Sequence, residues 1–316
     1  MCRATVLAFA ALITVLPLGA LAQPLMSVET LKAKLGEPSF VVLDIRSVID
    51  GGGAEAYAKA HIPGAIHSDY DKAGWRVTRN GLPFMLPTVA QLEKLIGELG
   101  IDEDSKVVVV PAGVSATDFG AAASVYWTLK VSGLKNLSIL DGGFAAWIAA
   151  NYPVDNGVVT PSPQIFTATI DKSLIADTAD AERIASGGVG TLVDARPSGY
   201  FTGKLKADAA SAYGHIPNAI NLDSENFYDP ATNRLRKPEE LAALAARVPT
   251  TGPVVNYCNT GHWSATDWFV LSEILGRKNV KLYYGSMVEW SAAPNRPISS
   301  SRTKWDDIKK FFGQGS

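Results

Sequence analysis

Short motifs in the first half of the chain recur in the same order in the second half, and this repetition constrains the fold more than any other feature. Val41–Arg46, which reads as a buried strand ending in Asp-x-Arg, is matched by Thr191–Arg196. Further pairs follow in the same order: His61–Ile66 with His215–Ile220, Val107–Val110 with Val254–Tyr257, and Ser115–Asp118 with Ser264–Asp267. Ordered matches of this kind indicate a duplicated unit, so we expect two copies of one domain.

Each copy alternates short runs of Val, Ile and Leu with helix-like stretches. This pattern is typical of parallel strands buried between helices, and it predicts an α/β fold for both copies. The chain has 316 residues, of which 47% are hydrophobic, and this is enough for two ordinary domains. We expect an N-terminal domain over residues 25–155, a linker over 156–164 and a C-terminal domain over 165–303.

The first 22 residues resemble a secretory signal peptide. A charged start at Arg3 precedes an apolar run over residues 4–21, and Ala20-Leu21-Ala22 has the small-x-small pattern of a cleavage site. We expect cleavage before Gln23, export to the periplasm or secretion, and no membrane anchor after cleavage. The alternative is a retained anchor, because the apolar run approaches the length of a spanning helix.

Removal of the signal peptide takes Cys2 with it and leaves Cys258 as the only thiol. A lone cysteine is by default a small buried hydrophobic residue, so its neighbours decide whether it is reactive. Val254–Tyr257 reads as a buried strand and residues 264–275 as a helix, with Cys258 opening the loop between them. Asn, Thr, Gly and His in that loop form a good turn and a poor core, which favours a reactive thiol.

A strand-to-helix turn of this kind directs backbone N–H groups and the positive end of a helix dipole at one point. It therefore favours a thiolate and, equally, a persulfide anion at Cys258. Gly261 permits tight curvature, and Ser264 with Asp267 has the spacing of a capping box that would begin the helix. In the first half Pro111 stands opposite Cys258 and the loop is shorter, so that copy is predicted to carry no sulfur.

Asp-x-Arg, His-Ile-Pro and a loop that opens with Cys258 and leads into a helix together resemble the rhodanese superfamily. A tandem arrangement with the thiol only in the second copy is similar to the thiosulfate and 3-mercaptopyruvate sulfurtransferases. The resemblance implies two tandem rhodanese-like domains, each a mostly parallel sheet flanked by helices, with an inactive N-terminal domain that walls one side of the cleft. It implies Cys258 as the catalytic residue and a persulfide-binding loop of Asn259, Thr260, Gly261, His262, Trp263 and Ser264.

The same resemblance implies a small sulfur donor and a thiol or cyanide-like acceptor, but it does not separate the donors. Thiosulfate-type enzymes carry basic residues after the cysteine, where this chain has Asn259 and Thr260. Mercaptopyruvate-type enzymes use an arginine where Tyr200 stands. Other cationic side chains could supply charge to the cleft or be merely solvated: Lys204, Lys206, Arg234 and Arg236.

Two neighbours of the loop have open roles. His262 could bind or protonate a substrate, since an unperturbed histidine titrates near pH 6.5, or it could be a polar loop residue. Trp263 could wall the donor site or pack beneath the loop. His61 and His215 occupy equivalent places in both copies, as do the Asp-x-Arg pairs, so we expect them to be structural.

Several classes of function are disfavoured. The net charge is −2 with acidic and basic residues interspersed, so no basic stripe for nucleic acid exists. One remaining cysteine and four scattered histidines do not form a metal-binding pattern, and no Gly-rich phosphate loop follows a strand, so neither a metal nor another cofactor is predicted.

Two rival functions use the same kind of loop. A phosphatase or arsenate reductase would need an arginine six residues after the cysteine, where Ser264 stands. A non-enzymatic carrier would instead hand its persulfide to a dedicated partner protein. Slow turnover with small acceptors would distinguish the carrier from an enzyme.

Overall fold

A computed structural model describes residues 23–303 of the chain. The predicted signal peptide over residues 1–22 lies outside the described residues, and cleavage and export stay predictions. No helix in the described part of the chain is long and apolar enough to cross a membrane.

The first half forms a five-stranded sheet in which every neighbouring pair of strands is parallel. Its strands lie in the order β1, β7, β6, β2, β3, and a small antiparallel hairpin of β4 and β5 stands apart. The strands are β1 Leu25–Met26, β2 Phe40–Asp44, β3 Ile66–His67, β4 Val77–Arg79, β5 Leu82–Met85, β6 Lys106–Val110 and β7 Asn136–Leu140. The α-helices are α1 Val28–Lys34, α2 Ala54–Lys59, α3 Val89–Glu98, α4 Ala116–Val131 and α5 Gly143–Ala149, with a 3₁₀ turn at Val48–Asp50.

The second half forms another five-stranded parallel sheet, in the order β8, β14, β13, β9, β10, with a hairpin of β11 and β12. The strands are β8 Ile175–Ala176, β9 Thr191–Asp194, β10 Ile220–Asn221, β11 Tyr228–Asp229, β12 Arg234–Leu235, β13 Val254–Tyr257 and β14 Val280–Tyr283. The α-helices are α6 Thr178–Ala185, α7 Ser198–Phe201, α8 Pro238–Leu244, α9 Trp263–Trp268 and α10 Ser286–Ala292. Three 3₁₀ turns lie at Lys172–Leu174, Ser224–Phe227 and Ala245–Arg247.

The two sheets have the same strand order, each with a hairpin at the corresponding place, which confirms the predicted α/β fold of two similar domains. β6 and β13 are the middle strands, and apart from Lys106 their residues are all buried. In a parallel sheet, ligands bind beyond the carboxyl ends of the strands. Cys258 follows β13 directly and therefore lies at that edge.

The two halves share one continuous apolar core. Helix α4 is buried on nearly every side, because its own sheet covers one face and helix α9 of the second half packs on another. Tyr126 of α4 meets Phe269 edge to face with ring centroids 5.0 Å apart, and Trp127 stacks on Tyr284 at 5.3 Å. Tyr126 also donates a hydrogen bond of 2.8 Å to Glu273. These contacts hold the first half against the half that carries the thiol.

The predicted helix over residues 264–275 is present, but it changes its hydrogen-bonding pattern part of the way along. Helix α9 ends at Trp268, and Phe269–Ile274 continues as a π-helix. Trp268 and Leu271 are fully buried and pack in the core. A π-helical segment next to a loop is a feature often found at functional sites.

The duplicated histidines both fasten the end of their domain. The Nδ1 atom of His61 lies 2.9 Å from the Tyr57 carbonyl oxygen, and that of His215 lies 2.7 Å from the Phe201 carbonyl oxygen. Each histidine also forms a backbone bridge to the segment that leaves its domain, at Asp155 and Ser299 respectively. These contacts are the structural role that the repetition predicts.

Candidate active site

Cys258 lies at the floor of a small cavity between the two halves. The residue is 1% exposed, and the cavity has a volume of about 170 Å³. Both halves contribute to its lining, which consists of Ile49, Arg76, Thr117, Cys258, Asn259, Thr260, His262 and Trp263. The structure thus brings four of the predicted loop residues to the thiol, whereas Gly261 and Ser264 face away from the cavity.

The loop is held from behind by the turn that begins α10. Ser286 Oγ accepts hydrogen bonds from the amides of Cys258 at 3.0 Å and Gly261 at 3.1 Å, and it donates to the Tyr283 carbonyl oxygen at 2.9 Å. The amides of Met287 and Val288 bind the carbonyl oxygens of Cys258 and Asn259, both at 3.1 Å. These contacts fix the start of the loop at both its donors and its acceptors.

Gly261 is required by the same packing. Its φ angle is +77°, in the left-handed region, and an added Cβ atom would lie 2.7 Å from the Tyr284 carbonyl oxygen. No other residue type fits this combination of backbone angle and close approach. The left-handed backbone angle of Gly261 and its close packing on Tyr284 explain the tight curvature predicted for the loop.

With Cys258 and Gly261 bound to Ser286, the remaining amides of the loop find no protein acceptor. The N–H groups of Asn259, Thr260, His262 and Trp263 donate to no group within residues 23–303. Buried N–H groups in proteins are nearly always paired, so a set of them around one thiol is a concavity suited to an anion.

The Asp-x-Arg pair of the second half also reaches the loop. Arg196 is bound to Asp194 by bonds of 2.8 Å and 2.6 Å, and both side chains are almost fully buried. Its Nη1 atom donates to Asn259 Oδ1 at 3.2 Å. The pair was predicted to be a scaffold, and it does serve as one, with Asn259 as the group that it positions beside Cys258.

The corresponding turn of the first half has no cysteine, and its amides bind an aspartate instead. Asp118, at the start of α4, accepts hydrogen bonds from the loop amides of Ala112 at 3.0 Å, Val114 at 3.1 Å and Gly113. Burial raises the pKa of Asp118 to about 6, and the three amides oppose this shift by favouring the carboxylate. The shorter loop thus closes its amides onto an anion of its own.

The equivalent aspartate in the second half makes none of these bonds. Both carboxyl oxygens of Asp267 are buried without a hydrogen-bond partner among the described residues. Burial raises the pKa of Asp267 well above its ordinary value, which disfavours the carboxylate form. Because Asp267 makes no hydrogen bond to the loop, it does not occupy the loop amides as Asp118 does.

The predicted capping box of Ser264 and Asp267 is wrong. Helix α9 begins at Trp263 after His262, so Ser264 lies inside the helix, fully buried and with no partner for its hydroxyl group. In the first half the same motif does begin a helix, because Ser115 Oγ accepts from the Asp118 amide at 3.1 Å. The longer loop at Cys258 moves the helix start away from the serine.

His262 is a buried neutral side chain rather than a proton donor. Its Nδ1 atom lies 2.9 Å from the hydroxyl oxygen of Tyr70, which belongs to the first half. Burial, together with the charge of Arg76, lowers the pKa of His262 to about 3. Burial also raises the pKa of the Tyr70 hydroxyl, which therefore keeps its proton. His262 therefore ties the loop to the first half.

Trp263 lines the cavity, which is one of the two roles considered for it. Its ring meets Tyr200 edge to face with centroids 5.8 Å apart, so Tyr200 supports the cavity wall. None of the four cationic residues that the sequence offered to the cleft lines the cavity: Lys204, Lys206, Arg234 and Arg236.

The sequence predicts no role for three residues near the thiol. Ser286 holds the loop, Tyr70 binds His262, and Arg76 lines the cavity from the first half. Ser286 lies in a motif that is repeated, Tyr284-Gly285-Ser286 matching Asp141-Gly142-Gly143, and this repetition was the available signal. Tyr70 and Arg76 act across the contact between the halves, which no local pattern reveals.

A larger cavity, of about 380 Å³, lies elsewhere in the first half. Residues at the amino ends of its strands line it, among them Lys106 and Asn136, and none of the loop residues does. Because the carboxyl ends are the usual ligand-binding edge, the smaller cavity at Cys258 is the functional candidate. Within residues 23–303, no group of His, Cys, Asp and Glu side chains is placed to hold a metal ion.

Comparison with known proteins agrees with this geometry. The sequence matches the rhodanese-like domain twice, over residues 27–150 and 177–293. It is 32% identical over 291 residues to the probable 3-mercaptopyruvate sulfurtransferase of Pseudomonas aeruginosa, with 87% of this chain and 98% of that protein covered. It is 31% identical over 285 residues to the thiosulfate sulfurtransferase of Bos taurus, with 87% and 93% covered.

Solved structures show the same fold. The 3-mercaptopyruvate sulfotransferase SseA from Escherichia coli superposes with a TM-score of 0.70 at 24% identity, covering 84% of this chain and 99% of that one. An anaerobic ergothioneine biosynthesis enzyme from Chlorobium limicola gives a TM-score of 0.76 at 21% identity, covering 89% and 71%.

The loop of the first half should remain inactive in sulfur transfer when a cysteine is introduced into it. In a Pro111→Cys, Cys258→Ser double variant, Asp118 still occupies the amides of Ala112, Gly113 and Val114, so a sulfur anion at position 111 gains no stabilisation. We expect no measurable sulfur transfer in a thiosulfate-to-cyanide assay, with Cys258→Ser alone as the matched control. Turnover at the wild-type rate would show that the occupied amides are irrelevant.

Burial of neutral His262 should make the fold acid-sensitive. In the unfolded chain this histidine binds a proton below about pH 6.5, whereas in the folded protein it does so only near pH 3. Above pH 6.5 the titration of this histidine does not lower the free energy of unfolding. Below pH 6.5 the unfolded chain binds a proton that the folded protein does not, so the free energy of unfolding falls by at most about 1.4 kcal/mol per pH unit.

Urea unfolding of wild type and His262→Gln at pH 7 and pH 5 measures this effect. The free energy of unfolding of wild type should fall more between the two pH values than that of the variant. Equal falls in both proteins would contradict a neutral buried His262.

Proposed function

Because the chain belongs to the rhodanese family and is a sulfurtransferase, we propose that it carries the transferred sulfur as a persulfide on Cys258. In the first half-reaction the Cys258 thiolate attacks the transferable sulfur of a small donor. With thiosulfate, the donor's S–S bond breaks and sulfite leaves with the electron pair. With 3-mercaptopyruvate, the C–S bond breaks and the enolate of pyruvate leaves and takes up a proton.

In the second half-reaction a thiophilic acceptor, such as cyanide or a thiol, attacks the outer sulfur of the persulfide. The persulfide S–S bond breaks, and the electron pair returns to the Cys258 sulfur as a thiolate. The chain needs no oxidant or reductant for this cycle, because each step exchanges one sulfur bond for another.

The observation that carries the proposal is the set of unpaired loop amides around Cys258. Both the thiolate and the persulfide are anions, and preorganised N–H donors stabilise an anion without a reorganisation cost. The duplicated loop supports this reading, because there the corresponding amides are bound to the carboxylate of Asp118.

The size of the cavity favours small donors. Its volume of about 170 Å³ is below the roughly 300–1,000 Å³ of pockets that enclose drug-sized ligands. Thiosulfate and 3-mercaptopyruvate, with few non-hydrogen atoms, are of suitable size for it. Neither Asn259 nor Thr260 carries a charge that would choose between them.

A partner protein is a second candidate acceptor, and the rim of the cavity supports it. Ile49, which lines the cavity, is 36% exposed, and Phe84, which stacks on Arg76, is 38% exposed. Exposed apolar side chains beside a reactive group suit contact with another protein. A carrier of this kind would release sulfur slowly to cyanide and quickly to its partner, whereas an enzyme for small acceptors would show ping-pong kinetics.

Replacement of Cys258 by Ser should abolish sulfur loading. Wild type incubated with thiosulfate or 3-mercaptopyruvate should gain the mass of one sulfur atom, and dithiothreitol should remove it. Cys258→Ser should show neither mass gain nor turnover, while its free energy of unfolding changes by less than about 1 kcal/mol because serine fits the same loop.

In the full-length chain, which keeps residues 1–22, Cys2→Ser removes the other cysteine; it is the matched control and should load as wild type does. A Cys258→Ser protein that still took up and transferred sulfur would overturn the proposal.

A further inference from the structure

Arg76 is the one charged side chain among the residues that line the Cys258 cavity. It comes from the first half, directly before strand β4, and its side chain is only 10% exposed. Arginine stays protonated in proteins, so this is a permanent positive charge that is largely removed from water and placed beside the thiol.

The guanidinium group is held in place on both faces and at one edge. Its central carbon lies 4.4 Å from the centre of the Tyr70 ring and 4.9 Å from that of Phe84. Its Nη2 atom donates to Asp71 at 2.8 Å, and Asp71 in turn accepts from Ser47 at 2.9 Å. The group is therefore oriented before any substrate arrives.

The ion pair with Asp71 uses only part of the hydrogen-bonding capacity of this arginine. A guanidinium has five N–H donors, and Nε of Arg76 is buried with no acceptor among residues 23–303. An unpaired buried donor is costly, and a ligand that accepts from it recovers that cost. Arginine presents its donors as a planar fork that matches carboxylate and sulfonate-like oxygens.

From this arrangement we propose that Arg76 binds the anionic head group of the sulfur donor, so that the half without a thiol supplies the substrate-binding charge. The proposal rests on the sulfur-transfer function above and names the donor class: a small molecule that carries a transferable sulfur and an oxyanionic head group, either sulfonate-like or a carboxylate. The head group lies toward Arg76, and the transferable sulfur points at Cys258.

The charge of Arg76 also meets a need of the reaction. A thiolate and a thiosulfate dianion repel one another, and the Asn259 and Thr260 side chains next to the thiol are uncharged. A fixed cation on the opposite wall offsets this repulsion and then stabilises the sulfite that leaves. A neutral donor or acceptor obtains no such benefit.

The test compares sulfur loading with sulfur discharge in Arg76→Gln. The rate constant for loading Cys258 from thiosulfate or 3-mercaptopyruvate, followed by intact mass, should fall about 10- to 100-fold, the usual effect of losing a charge-assisted hydrogen bond. Protein that has been loaded by long exposure to excess donor should discharge to the uncharged thiol dithiothreitol within about twofold of the wild-type rate.

Two further variants separate the proposal from simple misfolding. Arg79→Gln removes an exposed arginine of the same hairpin and should load as wild type does. Arg76→Lys keeps the charge without the fork and should recover part of the loading rate. The loading rate is measured with thiosulfate and with 3-mercaptopyruvate separately. If both rates depend on Arg76, the residue recognises the oxyanion that the two donors share. If only one rate depends on Arg76, the head group of that donor is the one recognised.

Loading of Arg76→Gln at the wild-type rate, with wild type itself forming the persulfide, would overturn the role of Arg76 and leave the proposed function intact. Equal losses in loading and in discharge to dithiothreitol would also contradict it, because they would indicate a damaged loop. Failure of wild type to load from any donor would instead refute the persulfide function.

Discussion

The structure depends on keeping several backbone N–H donors of the loop that follows Cys258 unpaired with protein. Such donors are costly to bury, so the surrounding fold must hold them against their tendency to find acceptors. Ser286 takes the amides of Cys258 and Gly261, the first turn of α10 binds the carbonyl oxygens, and Arg196 holds Asn259. What remains is a concavity for an anion at the end of the middle strand.

The two halves of the chain show the two outcomes that this constraint permits. In the first half the amides are bound to Asp118, and that loop has no place left for a ligand. In the second half the loop is longer, and Asp267 makes no hydrogen bond to it. The two turns therefore differ in loop length and in whether the buried aspartate occupies the loop amides.

The first half of the chain, whose loop has no cysteine, contributes residues to the Cys258 site. Its helix α4 packs on α9, Tyr70 is hydrogen-bonded to His262, and Arg76 lines the cavity at Cys258. None of these contacts could form within a single domain, because each joins one half to the other. The reactive loop belongs to one copy, and its walls, anchor and charge come from both.

The sequence predicts the parts of this account that are local or repeated. The duplicated α/β fold follows from matched runs such as Val107–Val110 and Val254–Tyr257, and the position of Cys258 follows from the strand that precedes it. The capping box was wrong because the motif of Ser115–Asp118 recurs after a longer loop, where the same letters begin one position inside the helix. The roles of His262 and Arg76 were out of reach because they depend on how the halves pack.

The most direct test of the central claim is amide NMR of the protein before and after Cys258 is loaded with one sulfur atom. If the loop amides hold the persulfide anion, the N–H signals of Asn259, Thr260, His262 and Trp263 should move to the frequencies of stronger hydrogen bonds. Those of Ala112 and Val114, already bound to Asp118, should stay where they are. A persulfide confirmed by mass that leaves the loop signals unmoved would contradict the account.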